Sequence, residues 1–263
     1  MKYSIVITSY NRAWCIERAI ISAFLFLKKA HFDGEIIIVD DGSKDQTVKV
    51  ACDTITSFKD LPKNTFKVFE FSENRGVCAA KNFGANSAGG EWVIFLDSDD
   101  ELIADNYEQM NQILDNFKKY PAHFFGTIDE SFIHKVVVDD VIFLDINRLV
   151  ISGTNGRDAA PVIRSEVKKL FPYNEDIRGY EGLAYLRIAK KFGKIPLHGQ
   201  AIIQVHTTHD DRLSSKSGQK KRSSDLARGH RIALIEHWGV FCWTSRAKMI
   251  LRYLKAISLS QRI

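Results

Sequence analysis

The sequence predicts an α/β fold: a Rossmann-like, mainly parallel sheet, followed by a mixed subdomain and a basic helical tail. Three observations predict it. Up to residue 105, short β-branched runs alternate with longer segments of helical periodicity, the pattern of βαβ units. Those short runs are continuously apolar, as in strands buried on both faces. Residues 212–263 hold 12 Lys and Arg against 2 Asp and Glu, whereas residues 1–211 hold 25 against 30.

Four strands and four helices are predicted before Pro121. The strands are at residues 3–8, 35–39, 65–71 and 92–96. The helices are at residues 13–29, 45–57, 76–88 and 102–119. The first helix carries apolar residues at three- and four-residue spacing, which is typical of a helix packed on a sheet. Pro121 ends the fourth helix, because proline cannot continue a helical backbone.

Beyond Pro121 short strands follow one another with a single long helix among them. Strands are predicted at residues 122–127, 132–138, 141–144, 195–197 and 201–205, and helices at residues 179–191, 225–238 and 244–258. A polar, mobile loop is predicted at residues 212–224. The changes of pattern divide the chain at residues 1–105, 106–211 and 212–263, of which the first two form one domain and the third is a tail.

Length and composition exclude several classes of protein. With 263 residues, including 17 Phe, 8 Tyr and 4 Trp, the chain has ample material for a core and is not disordered. No run reaches the roughly 18 apolar residues of a membrane span, and the first residues are typical of a strand, not of a signal peptide. The four cysteines lack paired spacing, so neither a zinc site nor a disulfide framework is predicted, and a cytoplasmic location is expected.

Polar residues follow each of the first four predicted strands. In open parallel sheets ligands bind beyond the carboxyl ends of the strands, so these residues are expected to share one rim. The four segments are Thr8-Ser9-Tyr10-Asn11-Arg12, Asp40-Asp41-Gly42-Ser43, Glu73-Asn74-Arg75-Gly76 and Asp97-Ser98-Asp99-Asp100. Any one of them is consistent with an ordinary turn, but the four together predict a binding site.

The acidic segment is the most specific of the four. Asp97 and Asp99 are two residues apart in an extended segment, so both carboxylates can face one hard cation, Mn²⁺ or Mg²⁺. An ion held by so few protein oxygens keeps positions open for a diphosphate. A helix–loop–helix calcium site would require glycine where Leu102 stands, and an aspartyl phosphatase would require threonine where Glu101 stands.

Taken in order, these motifs resemble those of family 2 glycosyltransferases of the GT-A fold. The resemblance is dense over residues 3–103 and extends more thinly to residues 171–187. It is carried by Ser4-Ile5-Val6-Ile7-Thr8-Ser9-Tyr10-Asn11-Arg12, Ile38-Val39-Asp40-Asp41-Gly42-Ser43-Lys44-Asp45, Asn74-Arg75-Gly76, Ala80-Lys81-Asn82-Phe83-Gly84 and Gly90-Glu91-Trp92-Val93-Ile94-Phe95-Leu96-Asp97-Ser98-Asp99-Asp100. It implies an inverting transfer of a sugar from a nucleotide diphosphate donor, expected to be a UDP-sugar. The acceptor would be a glycan or lipid-linked saccharide in surface polysaccharide synthesis, with the donor bound by residues 1–105 and the acceptor by residues 106–211.

The resemblance also implies roles for single residues. Thr8 and Tyr10 would lie along the nucleobase, whose N–H group would donate to Asp40. Asp97 would meet the ribose or the sugar, and Asp99 would meet the metal. The other residues expected at the donor or beside the acidic residues are Arg12, Arg75 and Lys81.

Two late histidines, His206 and His209, follow the last predicted strand. In some enzymes of this fold a late histidine completes the metal site, which makes both candidate ligands. A donor to phosphate or a plain loop residue is the alternative for each of them.

The general base is where the sequence departs from the family. Family members commonly have a Glu-Asp pair that opens a helix, and the Asp is usually the base. Alignment on Gly179 and Arg187 places Glu181 on the Glu and Gly182 on the Asp, so the usual base is absent. Glu181 takes the role, or Asp176 or another carboxylate does, or the protein does not catalyse. A place in the first turn of the predicted helix favours the ionised form that a base requires in Glu181.

The last predicted helix is amphipathic. Its apolar face consists of Ala247, Ile250, Leu251, Leu254 and Ile257, and its basic flank consists of Lys248, Arg252 and Lys255. Such a helix either packs on the body or lies on an anionic membrane surface, here the inner face of the membrane. No recognition-helix or aromatic-platform motif indicates nucleic acid.

Two other functions stay open. A catalytically silent sugar-nucleotide or glycan-binding module would carry the same motifs, and Gly182 in place of an acid favours it. A nucleotidyltransferase shares a nucleotide-binding α/β fold, but it would usually have a glycine-rich basic loop that residues 8–12 lack.

Overall fold

The computed structural model describes residues 1–59, 61–129, 141–154, 159–206, 220 and 222–261. Its strands are β1 Tyr3–Ser9, β2 Gly34–Asp40, β3 Phe66–Glu70, β4 Trp92–Asp97, β5 Glu101–Leu102, β6 Ala122–Asp129, β7 Ile142–Leu144, β8 Ala159–Arg164 and β9 Ile195–Val205. Its helices are α1 Ile16–Lys29, α2 Thr47–Ser57, α3 Val77–Ser87, α4 Tyr107–Asn116, α5 Ile146–Ser152, α6 Ser165–Leu170, α7 Gly182–Phe192, α8 Ser223–His237 and α9 Trp243–Ser260.

One sheet organises these elements. Its strand order is β3-β2-β1-β4-β8-β6-β9-β5, and β7 pairs with β9. The first four strands are parallel, since β1 pairs with both β2 and β4 and β2 pairs with β3. β8 then runs antiparallel to β4 and to β6. The predicted α/β fold with a mainly parallel sheet and a mixed second half is confirmed.

Helices cover both faces of the parallel half. On one face, Ile5 and Ile7 of β1 pack in one buried cluster with Phe26 of α1. On the other face, Val6 of β1 packs with residues of α3. A Cβ added at Gly84 of α3 would lie 2.3 Å from Cγ1 of Val6, so a small residue permits this close approach. Burial on both faces is the reason that the strands are continuously apolar.

The second half of the chain and the tail share another core. Leu183 and Leu186 of α7 belong to the same buried cluster as Ala233 of α8 and Met249 of α9. Helices α8 and α9 therefore pack into the body of the protein. No helix in the described ranges is long and apolar enough to cross a membrane.

The fourth predicted helix and the last two predicted strands differ most from the structure in their boundaries. The helix predicted at residues 102–119 begins only at Tyr107, as α4, because β5 pairs antiparallel with β9 and removes the first predicted turn. The strands predicted at residues 195–197 and 201–205 are one strand, β9. The register of the pairing between β6 and β9 shifts around Gly126. This shift lets the pairing continue past residues 198–200, which separate the two predicted strands.

Four elements, β5, α5, β8 and α6, were not predicted from the sequence. β8 lies inside the sheet although it contains Pro161, which stands opposite Phe124 of β6. A proline argues against a central strand, because it cannot donate to the ladder. Helices α1 and α7 begin three residues later than predicted. The strand predicted at residues 132–138 and most of the loop predicted at residues 212–224 lie outside the described residues.

Candidate functional site

A cavity of about 1050 Å³ opens at the carboxyl ends of the parallel strands. One wall carries the residues that follow β1 and β4, and the opposite wall carries the start of α7 with parts of α5, α8 and α9. The expected site residues that line it are Thr8, Tyr10, Arg12, Lys81, Asp97, Asp99 and Glu181. Those outside its lining are Asp40, Arg75, Asp176 and His206.

The loop after β1 presents Thr8, Tyr10 and Arg12 to the cavity. Asn11 between them has a positive φ of 53°, a conformation that asparagine tolerates better than most residues. Trp14 also lines the cavity and is half exposed. It adds an aromatic surface to this wall that the motifs did not single out.

Asp40 is buried, and its carboxylate is engaged within the protein. Its Oδ1 accepts hydrogen bonds from Ser9 Oγ at 3.0 Å and from Ser43 Oγ at 2.6 Å, and its Oδ2 accepts one from Ser43 N at 2.7 Å. These bonds join the end of β1 to the loop after β2. The expected hydrogen bond from a nucleobase stays a prediction, and it would have to share an oxygen that a serine already contacts.

Asp41, the next residue, does line the cavity and orders the loop before α3. Its carboxylate accepts hydrogen bonds from the backbone N–H groups of Arg75 at 2.7 Å and Gly76 at 2.9 Å. Burial raises the pKa of Asp41, although these two donors oppose the rise. Gly42 has a φ of 72°, and an added Cβ would lie 2.5 Å from the carbonyl carbon of Glu73, so only glycine fits there.

The Arg75 side chain turns away from the cavity. Its Nη2 lies 3.4 Å from Glu175 Oε2, and its guanidinium lies 4.8 Å from the centre of the Phe71 ring. Glu175 in turn accepts a hydrogen bond from Asn82 at 3.0 Å. A contact between Arg75 and a diphosphate stays a prediction, and it would require Arg75 to leave both neighbours.

Lys81 joins two carboxylates that line the cavity and come from distant parts of the chain. Its Nζ lies 3.0 Å from Asp97 Oδ1 and 2.8 Å from Glu181 Oε1. Burial by itself would lower the pKa of Lys81, but the two carboxylates raise it well above its usual value. The lysine is therefore a positive charge held between β4 and the start of α7. Lys81 and Glu181 are 100 positions apart in the chain, so the motifs did not predict that they meet.

Glu181 immediately precedes α7, which begins at Gly182. The Glu181 side chain is 30% exposed. A Cβ added at Gly182 would meet no heavy atom within 4 Å, so the cavity is open where this chain lacks a side chain. Asp176 is directed elsewhere, since its Oδ2 lies 2.5 Å from Nη2 of Arg228.

A buried polar layer adjoins Glu181. The hydroxyl groups of Tyr173 and Tyr185 lie 2.9 Å apart and share a hydrogen bond, and burial raises the pKa of both, so both are neutral. Lys168 Nζ lies 3.6 Å from the centre of the Tyr173 ring, and burial lowers the pKa of Lys168 to about 7. At neutral pH, Lys168 is therefore protonated in a smaller fraction of molecules than Lys81.

Asp97 and Asp99 lie on the same wall of the cavity. Among the residues that the structure describes, no group of three His, Cys, Asp or Glu side chains is arranged to hold a metal ion by itself. Two carboxylates fit a Mn²⁺ or Mg²⁺ ion that binds together with a diphosphate, because Mg²⁺ is usually held by one or two carboxylates and phosphate oxygens. Arg18 Nη2 donates to the backbone oxygen of Asp99 at 2.7 Å and holds this loop.

The two histidines differ in what the structure describes. His206 is buried, its Nε2 lies 2.7 Å from Glu101 Oε1, and its backbone N–H donates to Asp100 Oδ1 at 3.1 Å. Ligation of a metal through Nε2 would break the contact with Glu101, so this role stays a prediction. His209 lies outside the described residues.

The tail forms a wall of the cavity and holds the segment before α7. Arg222 Nη1 donates to the backbone oxygen of Gly179, and Tyr180 Oη lies 2.7 Å from His230 Nδ1. A Cβ added at Gly229 would lie 2.6 Å from the Tyr180 ring, so this contact requires glycine. The tail residues that line the cavity are Arg222, His230, Met249 and Arg252.

Helix α9 packs on the body through a side other than the predicted apolar face. Its buried residues are Ser245, Met249 and Ala256. Leu251 and Leu254 of the predicted face are 67% and 54% exposed. Small Ser245 and Ala256 allow α9 to approach its neighbours closely, which leaves the larger apolar residues on the outward side.

The sequence model described as glycosyl transferase family 2 matches residues 4–139. Two proteins of Haemophilus influenzae, both named uncharacterized glycosyltransferase, match this chain. The first is 34% identical over 43% of this chain and 42% of its own length. The second is 24% identical over 98% of this chain and 86% of its own length. A Campylobacter jejuni protein named GalNAc(5)-diNAcBac-PP-undecaprenol beta-1,3-glucosyltransferase is 32% identical over 48% of this chain and 37% of its own length. The chain thus spans less than half the length of two of these three relatives.

Solved structures share the fold over nearly the whole chain. Staphylococcus aureus TarS 1–349 in complex with UDP-GlcNAc has a TM-score of 0.66 at 16% identity, covering 98% of this chain and 81% of that one. Mannosyltransferase PcManGT from Pyrobaculum calidifontis in complex with GDP-Man and Mn²⁺ has a TM-score of 0.65 at 14% identity, covering 98% and 75%. This similarity establishes the GT-A fold.

Proposed function

Because the chain belongs to glycosyl transferase family 2, we propose that it transfers a sugar from a nucleotide diphosphate sugar to a hydroxyl group of an acceptor. The observation that carries the proposal is the Lys81 bridge between Asp97 and Glu181. It holds a carboxylate suited to a general base in the same cavity as the strand ends. Residues 1–105 supply the donor wall, and residues 106–211 with the tail supply the acceptor wall.

The proposed donor is a UDP-sugar. Thr8 and Tyr10 would contact the nucleobase, and Arg12 would contribute positive charge at the same wall. TarS, which shares the fold, has been solved with UDP-GlcNAc, which supports this choice. PcManGT, which also shares the fold, has been solved with GDP-Man. An experiment on donor choice should therefore compare UDP-sugars with GDP-sugars.

A divalent ion, Mn²⁺ or Mg²⁺, is proposed at Asp99 and Asp97. When bound, such an ion neutralises the negative charge that develops on the departing diphosphate. Both carboxylates line the donor wall, and PcManGT has been solved with Mn²⁺. Asp97 also accepts from Lys81, so the lysine limits how far that carboxylate can move toward the ion.

Glu181 is the proposed general base. Its carboxylate takes the proton from the acceptor hydroxyl as the hydroxyl oxygen bonds to the anomeric carbon of the sugar. The bond from that carbon to the diphosphate oxygen breaks, and the nucleoside diphosphate leaves with the electron pair. Attack opposite the leaving group inverts the anomeric configuration. Lys81 Nζ lies 2.8 Å from Oε1 and holds the Glu181 carboxylate in place.

A panel of UDP-, GDP- and dTDP-sugars, with and without Mn²⁺, tests the proposed function. We expect a UDP-sugar with Mn²⁺ to raise the melting temperature most, because a ligand at about 100 times its Kd stabilises the folded state by about 2.7 kcal/mol. Release of free nucleoside diphosphate then distinguishes a transferase from a silent binding module. A nucleotidyltransferase would instead release pyrophosphate from a nucleoside triphosphate and a sugar phosphate. Failure of every nucleotide sugar to stabilise the protein would contradict the proposal.

The outward face of α9 is the proposed contact with the inner face of an anionic membrane, where a lipid-linked acceptor would be found. Leu251 and Leu254 are exposed there, and Trp243 at the start of the helix is 77% exposed. Lys255 on the same helix is exposed as well. Exposed apolar side chains beside basic ones are typical of helices that lie in a membrane interface.

A double substitution tests this contact without removing α9. We expect Leu251→Glu with Leu254→Glu to weaken binding to phosphatidylglycerol-containing vesicles at least about tenfold, because each leucine contributes roughly 1.5–3 kcal/mol when buried. Leu25→Glu is the matched control, since Leu25 on α1 is 45% exposed. Vesicle co-sedimentation measures binding, and UDP-sugar affinity should not change. Equal vesicle binding by the double variant and the control would refute the contact.

A further inference from the structure

Two arginines lie on the tail side of the cavity. Arg222, which precedes α8, and Arg252 of α9 both line the cavity. Within the described part of the chain neither forms a salt bridge, and the buried Nε of Arg222 has no hydrogen-bond partner. Lys81, Arg75 and Arg228 differ, since each is paired with a carboxylate. The carboxylates of Glu181 and Asp225 attract Arg222 electrostatically but do not form an ion pair with it, so its guanidinium can still bind an anionic ligand.

Both arginines lie beside the segment 179–181, which ends in the proposed base. Arg222 donates to the first carbonyl of this segment, and Arg252 is close enough to Tyr180 to affect its ionisation. On its other side, the segment is joined through the lysine bridge to Asp97 and the donor wall. The two arginines are therefore on the side from which an acceptor would reach the base.

Apolar residues adjoin the two arginines in the same cavity. They are Leu149 and Val150 of α5, Leu186 of α7 and Met249 of α9. Met249 and Arg252 are three positions apart, so they share one side of α9. An apolar chain attached to an anion at Arg252 would therefore lie against Met249. The exposed Leu251 and Leu254 are on the opposite side of α9.

We propose that Arg222 and Arg252 bind the phosphate group of a lipid-linked acceptor. This inference rests on the proposed function, because it assigns part of the acceptor that receives the sugar. Guanidinium groups match the geometry of phosphate oxygens and form charge-assisted hydrogen bonds with them. The adjoining apolar wall takes the first part of the lipid chain, and the acceptor hydroxyl reaches Glu181.

Calorimetric titration of the protein saturated with UDP and Mn²⁺ tests this subsite. The probes are farnesyl phosphate, farnesol and inorganic phosphate. The protein solution and the probe solution contain the same concentrations of UDP and Mn²⁺. We expect farnesyl phosphate to bind at least about tenfold more tightly than either other probe, because farnesol lacks the charge-assisted hydrogen bonds and inorganic phosphate lacks the apolar contacts. Arg252→Gln should weaken its binding by a similar factor, and Arg222→Lys by less.

Arg231→Gln is the matched control, because Arg231 is an exposed residue of α8 outside the cavity lining. Unchanged UDP affinity in every variant shows that the donor site is intact. Equal binding of farnesyl phosphate and farnesol, equal binding of farnesyl phosphate and inorganic phosphate, or equal affinities in Arg252→Gln and Arg231→Gln would each overturn the inference. Failure of UDP itself to bind would count against the proposed function instead.

Discussion

Glu181→Gln is expected to lower sugar transfer at least about 100-fold while the affinity for the UDP-sugar stays nearly unchanged. General-base catalysis contributes about this factor, and glutamine cannot take a proton from the acceptor hydroxyl. Glutamine keeps an oxygen that can accept from Lys81 Nζ, 2.8 Å away in the native protein, so the geometry of the bridge is retained. Steady-state transfer rates and calorimetric donor affinities separate the two effects.

Two nearby carboxylates provide the controls for this substitution. Asp176 pairs with Arg228, and Glu175 pairs with Arg75, so neither faces the cavity. Asp176→Asn and Glu175→Gln should each keep transfer within about tenfold of the native rate, well short of the loss expected for a base. Full transfer by Glu181→Gln would reject Glu181 as the base, and a large loss in Asp176→Asn alone would assign the role to Asp176.

Asp99→Asn is expected to abolish the Mn²⁺ dependence of UDP-sugar binding and to weaken that binding at least about tenfold, the scale of one lost charge-assisted contact. A neutral amide is a poorer ligand than a carboxylate for a hard cation. Thermal denaturation with and without Mn²⁺ reports both the fold and the metal-dependent stabilisation. The unliganded melting temperature should change little, because Asp99 is only half-buried.

The matched control for the metal is Asp105→Asn. Asp105 is exposed and pairs with Lys29 rather than facing the cavity, so its loss should leave donor binding and its Mn²⁺ dependence intact. Native turnover of Asp99→Asn in the presence of a chelator would disprove the metal assignment. Equal losses in both aspartate variants would point to a general charge effect at this end of the protein.

Under the proposed function, Lys81 gives a structural reason for a base at position 181 beside Gly182. This buried cation contacts both Glu181 and Asp97 at the cavity. The open space at Gly182 leaves room for an acceptor group beside that carboxylate. Lys81 therefore fixes the position of the Glu181 carboxylate in the cavity, although the motif contains one acid fewer.

Local sequence patterns were enough to predict the parallel half of the fold and the segments that reach its rim. β1 to β4 and α1 to α3 lie within a few residues of their predicted positions, because apolar periodicity and turn residues act over short distances in the chain. The placement of polar segments at one edge follows from the parallel order of those strands. The family model matches residues 4–139, which include this half.

Contacts between residues far apart in the chain could not be predicted from local patterns. β5 became a strand through pairing with β9, and Lys81 became a bridge because α7 begins opposite β4. The helical period of α9 was visible in the sequence, but the packing of Ser245 and Ala256 determined which side turned inward. These choices depend on contacts between segments far apart in the chain, whose geometry and burial exist only once the sheet and its helices have assembled.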